Sequence, residues 1–172
     1  LWPRRAGNPA TLNIEISRRN KGFNLDNRSY ITLDGLTIEL FNGNAVHISN
    51  DPTAKSYYDT IRDATLRYAN YGVYLHQAVR ADSPAENAID GFTLEDSEIG
   101  HMDTQAILLR QWWENNAAAD SFTRSGIQNT TILRNEMHHL GFRGDYGKAN
   151  GSELYFAHRL RFEGNHVHDV AH

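Results

Sequence analysis

Five segments of this 172-residue chain repeat one short pattern: an apolar residue, four residues, and a second apolar residue. They run Leu33 to Ile38, Ile61 to Leu66, Leu94 to Ile99, Ile132 to Met137 and Phe162 to Val167. Successive copies begin 28, 33, 38 and 30 residues apart. Three copies are followed by a second short strand pattern: Val46-His-Ile-Ser49, Val73-Tyr-Leu-His76 and Ile107-Leu-Leu-Arg110. Self-similarity at this period, built from short strands and turns, marks a solenoid in which each repeat covers the apolar face of the next. The repeats are too short and too rich in β-formers for a helical array. The expected fold is therefore all-β, a parallel β-helix of about five to six coils.

Residues 1–29 read as lead-in strands and 30–172 as the coils. Thr11 to Ser17 alternates with period two, and Gly22 to Asp26 makes a second short strand. Gly43, Asn44, Asn70, Gly72, Gly100, Gly141 and Gly164 are expected at corners, where left-handed backbone favours such residues. Ala117 to Ala119 is the one weak helix signal. The final Asn165-His-Val-His-Asp-Val-Ala-His172 reads as mid-coil, so a piece of a longer protein is expected. Longer non-repeating stretches at 51–58, 78–88, 112–125 and 143–152 are expected to rise from the repeat as functional loops.

Composition narrows the function. Seventeen basic and 21 acidic residues leave a net charge of −4, with no basic stripe for nucleic acid. No apolar run approaches the ~20 residues of a membrane span. Cysteine is absent, which excludes disulfides and thiolate metal sites.

Tyr30-Ile-Thr-Leu-Asp-Gly-Leu-Thr-Ile38, Ile132-Leu-Arg-Asn-Glu-Met-His-His-Leu-Gly141 and Phe162-Glu-Gly-Asn-His-Val-His-Asp169 resemble the right-handed parallel β-helix repeats of the pectate-lyase-like superfamily. The resemblance spans 30–172. It implies a secreted, periplasmic or cell-surface protein that handles an acidic or neutral polysaccharide, as a lyase or a glycoside hydrolase. Non-catalytic glycan-binding or surface solenoids share the architecture and form the alternative. The resemblance admits Ca2+, but the family's Asp-rich calcium motifs are not recognisable here, and no cofactor is assigned.

Alternation assigns the faces. Val46, Ile48, Val73, Leu75, Ile107 and Leu109 are expected inside. Two outward columns follow: His47, Tyr74, Leu108, Tyr155, and Ser49, His76, Arg110, Ala157, with Leu154 and Phe156 turned in. His76, Arg110 and Glu114 are the catalytic candidates. His47, Tyr74, Trp112, Trp113 and Tyr155 are the substrate-binding candidates. A guanidinium fork suits a uronate carboxylate, and an imidazole exchanges a proton near neutral pH. A lyase would use Arg110 with His76, Tyr74 or Lys148 as base. A hydrolase would need two carboxylates from Glu114, Asp145, Glu153 and Asp51.

His138-His139 and His166-Val-His168-Asp169 share one corner of successive repeats. Such pairs can supply metal ligands. The plainer reading is that they cap turn backbone, and no metal ligand is assigned. Asn135 and Asn165 share one repeat position and are expected to form a buried amide ladder.

Overall fold

A computed structural model describes residues 18–80, 88–113, 126–142, 151–155 and 157–171. The expected strand at Thr11 to Ser17, the Ala117 to Ala119 turn, and Glu114, Asp145, Lys148 and Phe156 lie outside the described residues.

The described chain is all-β, with no helix. Its strands are β1 (Lys21–Asn24), β2 (Thr32–Asp34), β3 (Thr37–Glu39), β4 (Asn44–Asn50), β5 (Ser56–Tyr57), β6 (Thr60–Arg62), β7 (Thr65–Val79) and β8 (Ile89–Asp90). They continue with β9 (Thr93–Glu95), β10 (Glu98–Trp113), β11 (Ile127–Gln128), β12 (Thr131–Leu133), β13 (Glu136–Leu140), β14 (Ser152–Tyr155), β15 (Arg161–Glu163) and β16 (His166–Val170). All pairing is parallel. One sheet runs β1-β4-β7-β10-β13-β16, with β3 on β7 and β14 on β10. A second runs β2-β6-β9-β12-β15, and a third β5-β8-β11. Strands that neighbour each other in space recur once per sequence repeat. This is the stacked arrangement of a β-solenoid.

The repeat residues stack in register. Leu33, Ile61, Leu94, Ile132 and Phe162 pair in succession in the second sheet. Ile38, Leu66, Ile99, Met137 and Val167 do so in the first. The first four of each column are buried. Phe162 and Val167 keep this register but stay 42% and 40% exposed, because no described strand packs on their far side.

The corners differ from expectation. Three columns of left-handed residues turn the chain, with φ between 49° and 74°. They are Leu40, Tyr68, His101, His139, Asp169; Gly35, Asp63, Asp96, Arg134, Gly164; and Tyr30, Tyr58, Gly91, Asn129, Arg159. Most of these residues carry side chains. The left-handed cost of about 1–2 kcal/mol each is offset by the ladder bonds on either side and by stacking between the corner side chains. Of the glycines expected at corners, Gly141 and Gly164 have this backbone. Gly72 is glycine for another reason: a Cβ there would lie 2.5 Å from Ile99 and 2.6 Å from the Ala106 carbonyl.

Two amide ladders satisfy buried backbone. Asn135 Oδ1 accepts from the Ser97 N–H at 3.0 Å, and its Nδ2 donates to the Leu94 carbonyl at 3.1 Å. Asn165 Oδ1 accepts from the Asn135 N–H at 2.9 Å, and its Nδ2 donates to the Ile132 carbonyl at 2.8 Å. This is the expected Asn ladder. The second ladder, unforeseen, is the buried column Asn50, Gln77, Gln111.

Candidate functional site

The long strands β4, β7 and β10 run past the repeat core and carry the candidate face. Inward residues Val46, Ile48, Val73, Leu75, Ile107 and Leu109 are fully buried, as alternation requires. The intervening residues form two outer rows. Ser49, His76 and Arg110 are register partners, as are His47, Tyr74 and Leu108.

On β14 the rows correct the sequence reading. Tyr155 pairs with Arg110, and Glu153 takes the place beside Leu108. Tyr155 was expected beside Leu108, and Ala157 beside Arg110. The inward residue, Leu154, is as expected, so the error is a slip of two residues. Alternation fixes parity but not register once a long insertion precedes a strand. The slip makes Tyr155, rather than Ala157, the register partner of Arg110. Leu108 faces the outer row but is only 6% exposed, so it forms a covered apolar floor rather than a contact surface.

The polar groups are held in fixed poses. His47 Nδ1 accepts from the Asn44 amide at 2.5 Å, and its Nε2 faces Asp26 Oδ1 at 3.7 Å. The His47 and Tyr74 rings stack, with centroids 5.0 Å apart and planes 7° apart. Tyr71 meets Tyr74 edge-on at 5.6 Å. His76 Nδ1 lies 3.2 Å from the Ser49 hydroxyl. Glu153 accepts from Gln105 Nε2 at 2.6 Å and from the Tyr155 hydroxyl. Glu153 was a hydrolase-carboxylate candidate, but neither its place beside Tyr155 nor Gln105 was foreseen from the sequence. Only the register reveals them.

Electrostatics sorts the roles. Burial, then the Arg110 charge, lowers the His76 pKa, so its imidazole is neutral at pH 7. Burial also lowers His47, against the pull of Asp26. Burial raises Tyr74. The hydrogen bond to Glu153 and its charge raise Tyr155. Both phenols are therefore held as acids.

Other candidates differ in local structure from expectation. Trp112 and Trp113 were expected in a loop beyond the strand, but they continue β10 and pair with Ala78 and Val79. Asp51 holds the N–H and hydroxyl of Thr53 at 2.8 and 2.7 Å, bonds that lower its pKa. It is a turn-capping residue.

Comparison with protein-family models, curated proteins and solved structures finds no match.

A second cluster occupies the corner at His101. His138 Nε2 bonds Glu98 at 3.1 Å, and its Nδ1 lies 2.7 Å from His139 Nδ1. The His101 and His139 rings stack at 4.6 Å. One strand on, His168 stacks on His138 at 5.4 Å. Its two nitrogens face Asp169 at 2.9 Å and Glu136 at 3.3 Å, hydrogen bonds that raise its pKa.

Proposed function

We propose that this chain is the carbohydrate-handling part of a polysaccharide lyase acting on a uronate-containing glycan. In this reading the solenoid is a right-handed β-helix of five to six coils related to the pectate-lyase-like superfamily, working outside the cytoplasm. The observation that carries the reading is the row His76–Arg110–Tyr155 on adjacent strands.

Each member suits one part of a β-elimination. Arg110 offers its planar guanidinium fork to the uronate carboxylate. The developing charge on that group is greatest in the transition state, where a fixed cation stabilises most. His76, neutral and held at Nδ1 by Ser49, takes the proton alpha to the carboxylate at Nε2. The C–H pair becomes the new C=C bond, the glycosidic C–O bond breaks, and the departing oxygen receives a proton. In this reading Tyr155, kept as a phenol beside Glu153, gives it. Tyr74 does not serve as base, because burial disfavours its phenolate. With His47 it makes an aromatic wall for a sugar face.

Hydrolysis fits less well. Among the described residues, Asp26 lies against His47 on β4 and Glu153 stands on β14, strands separated by β7 and β10, so these two carboxylates do not face each other across one sugar. A catalytic carboxyl pair needs about 5–10 Å. Nor do these residues suit Ca2+, which takes six to eight oxygen ligands, whereas this row presents a guanidinium and imidazoles. Glycan binding without turnover is the alternative, supported by the packed rings of Tyr71, Tyr74 and His47.

The test is an ultraviolet assay for unsaturated sugar ends on uronate polymers. Arg110→Ala should lower turnover about 10²–10³-fold, comparable with losing one oxyanion donor. Binding without unsaturated product would favour the binding module. Reducing ends without unsaturation would sink the lyase reading.

A further inference from the structure

We propose that His101, His138 and His139 form a binding site for one divalent transition-metal ion of the zinc class, with a fourth position left open. The site stands at the opposite end of β10 from Arg110 and does not rest on the glycan reading.

The sequence pairs His138 with His139, but the third ligand comes from the fold. Gly100 and His138 are register partners, so the next residues, His101 and His139, meet at the left-handed corner. One ligand nitrogen from each of the three imidazoles falls within 4.8 Å of the others. Gly100 makes the room: a Cβ there would sit 2.6 Å from the His138 ring. Tyr68 stacks on His101 at 5.0 Å and Phe142 on His139 at 6.3 Å, bracketing the imidazoles.

The hydrogen-bond geometry points the same way. His138 Nε2 lies 3.1 Å from the Glu98 carboxylate, and in the tautomer that donates there the Nδ1 lone pair points at His139, 2.7 Å away. A carboxylate on the far nitrogen is how proteins orient and strengthen a metal-binding histidine. A hydrogen bond between His138 and His139 would account for two of the rings but not for the third converging on them. Tetrahedral Zn–N bonds of about 2.0–2.1 Å need nitrogens about 3.3 Å apart, so the 2.7 Å pair opens by only a few tenths of an ångström on each side. Imidazole donors select zinc-class ions over Ca2+ or Mg2+.

The neighbouring corner gives the contrast. Glu136, His166 and His168 also cluster within 4.8 Å. That group offers two imidazoles and a carboxylate, with Glu136 and His166 exposed, whereas His101, His138 and His139 are three half-buried imidazoles.

The 172-residue chain, stripped with chelator, should bind one equivalent of Co2+ with the visible absorption of a tetrahedral site, and Zn2+ should displace it. His101→Asn and His139→Asn keep a residue that tolerates the left-handed backbone. Each should weaken Co2+ binding by more than about 100-fold, since each removes a ligand whereas loss of an outer partner alone costs about 10–100-fold. Glu98→Gln, which leaves all three ligands in place, should weaken it by about that 10–100-fold. His166→Ala should leave it unchanged. Should the Asn variants fail to give a β-sheet circular dichroism spectrum, His138→Gln and Glu98→Gln carry the test. Absence of binding by the folded wild-type chain at millimolar Co2+ and Zn2+ would overturn the proposal. So would binding that survives loss of His101.

Discussion

His76 and Arg110 are register partners on adjacent parallel strands, and burial together with the Arg110 charge holds the His76 imidazole below the ordinary histidine pKa. The pairing sets the Arg110 guanidinium one strand from the His76 imidazole. Removing Arg110 should raise the His76 pKa. Proton NMR titration of the His76 ring in Arg110→Gln would check this, and an unchanged midpoint would show that the two groups do not sense each other.

The same shift links pH to stability. A histidine with a depressed folded pKa contributes nothing above the unfolded value of about 6.5, where both states are neutral. As pH falls below that value, the unfolded chain takes up the proton first and the fold loses stability. His76→Gln should flatten this acid-side loss in denaturant melts between pH 7 and 5.

Asp59 should act in the opposite direction. Burial raises its pKa to about 6, against one hydrogen bond from the Ile31 N–H at 2.9 Å. Its Oδ2 has no partner among the described residues. A carboxyl whose folded pKa is raised costs nothing below the unfolded value near 4, and the cost grows as pH rises through 6. Asp59→Asn should therefore stabilise the chain at pH 7, by up to about 3 kcal/mol, and have little effect at pH 4. Equal effects at both pH values would refute the ionisation account.

The stack predicts unequal costs for similar truncations. Ile99 is fully buried between Leu66 and Met137, so Ile99→Ala should cost about 2–4 kcal/mol in urea unfolding. Val167→Ala, in the same column but 40% exposed, should cost less than about 1 kcal/mol. Comparable losses would place the register elsewhere.

Asn135 bonds both the Ser97 N–H and the Leu94 carbonyl while itself being buried. Asn135→Ala strands both groups and should cost about 2–3 kcal/mol. The isosteric Asn135→Asp should not rescue it, because a carboxylate cannot donate to the carbonyl. Wild-type melting of either variant would show that the ladder is dispensable.

The spacing between Leu94 and Ile99, repeated along the chain, determined which residues stack, because burial imposes a periodic demand that composition must meet. Alternation likewise determined that Val73 and Leu75 turn inward while Tyr74 and His76 turn outward. Asn135 and Asn165 were legible because a polar residue at a fixed place in an apolar repeat must satisfy backbone. What the tertiary structure decided is who meets across an insertion. The stretch before β14 carries no periodic signal, so only pairing placed Tyr155 beside Arg110 and Glu153 beside Leu108. The same holds for His101, which no motif joins to His138 and His139 until two strands bring their corners together. A repeat written in sequence states what each position must bury. Contacts between repeats of unequal length depend on register, which is set by hydrogen bonds between strands far apart in the chain.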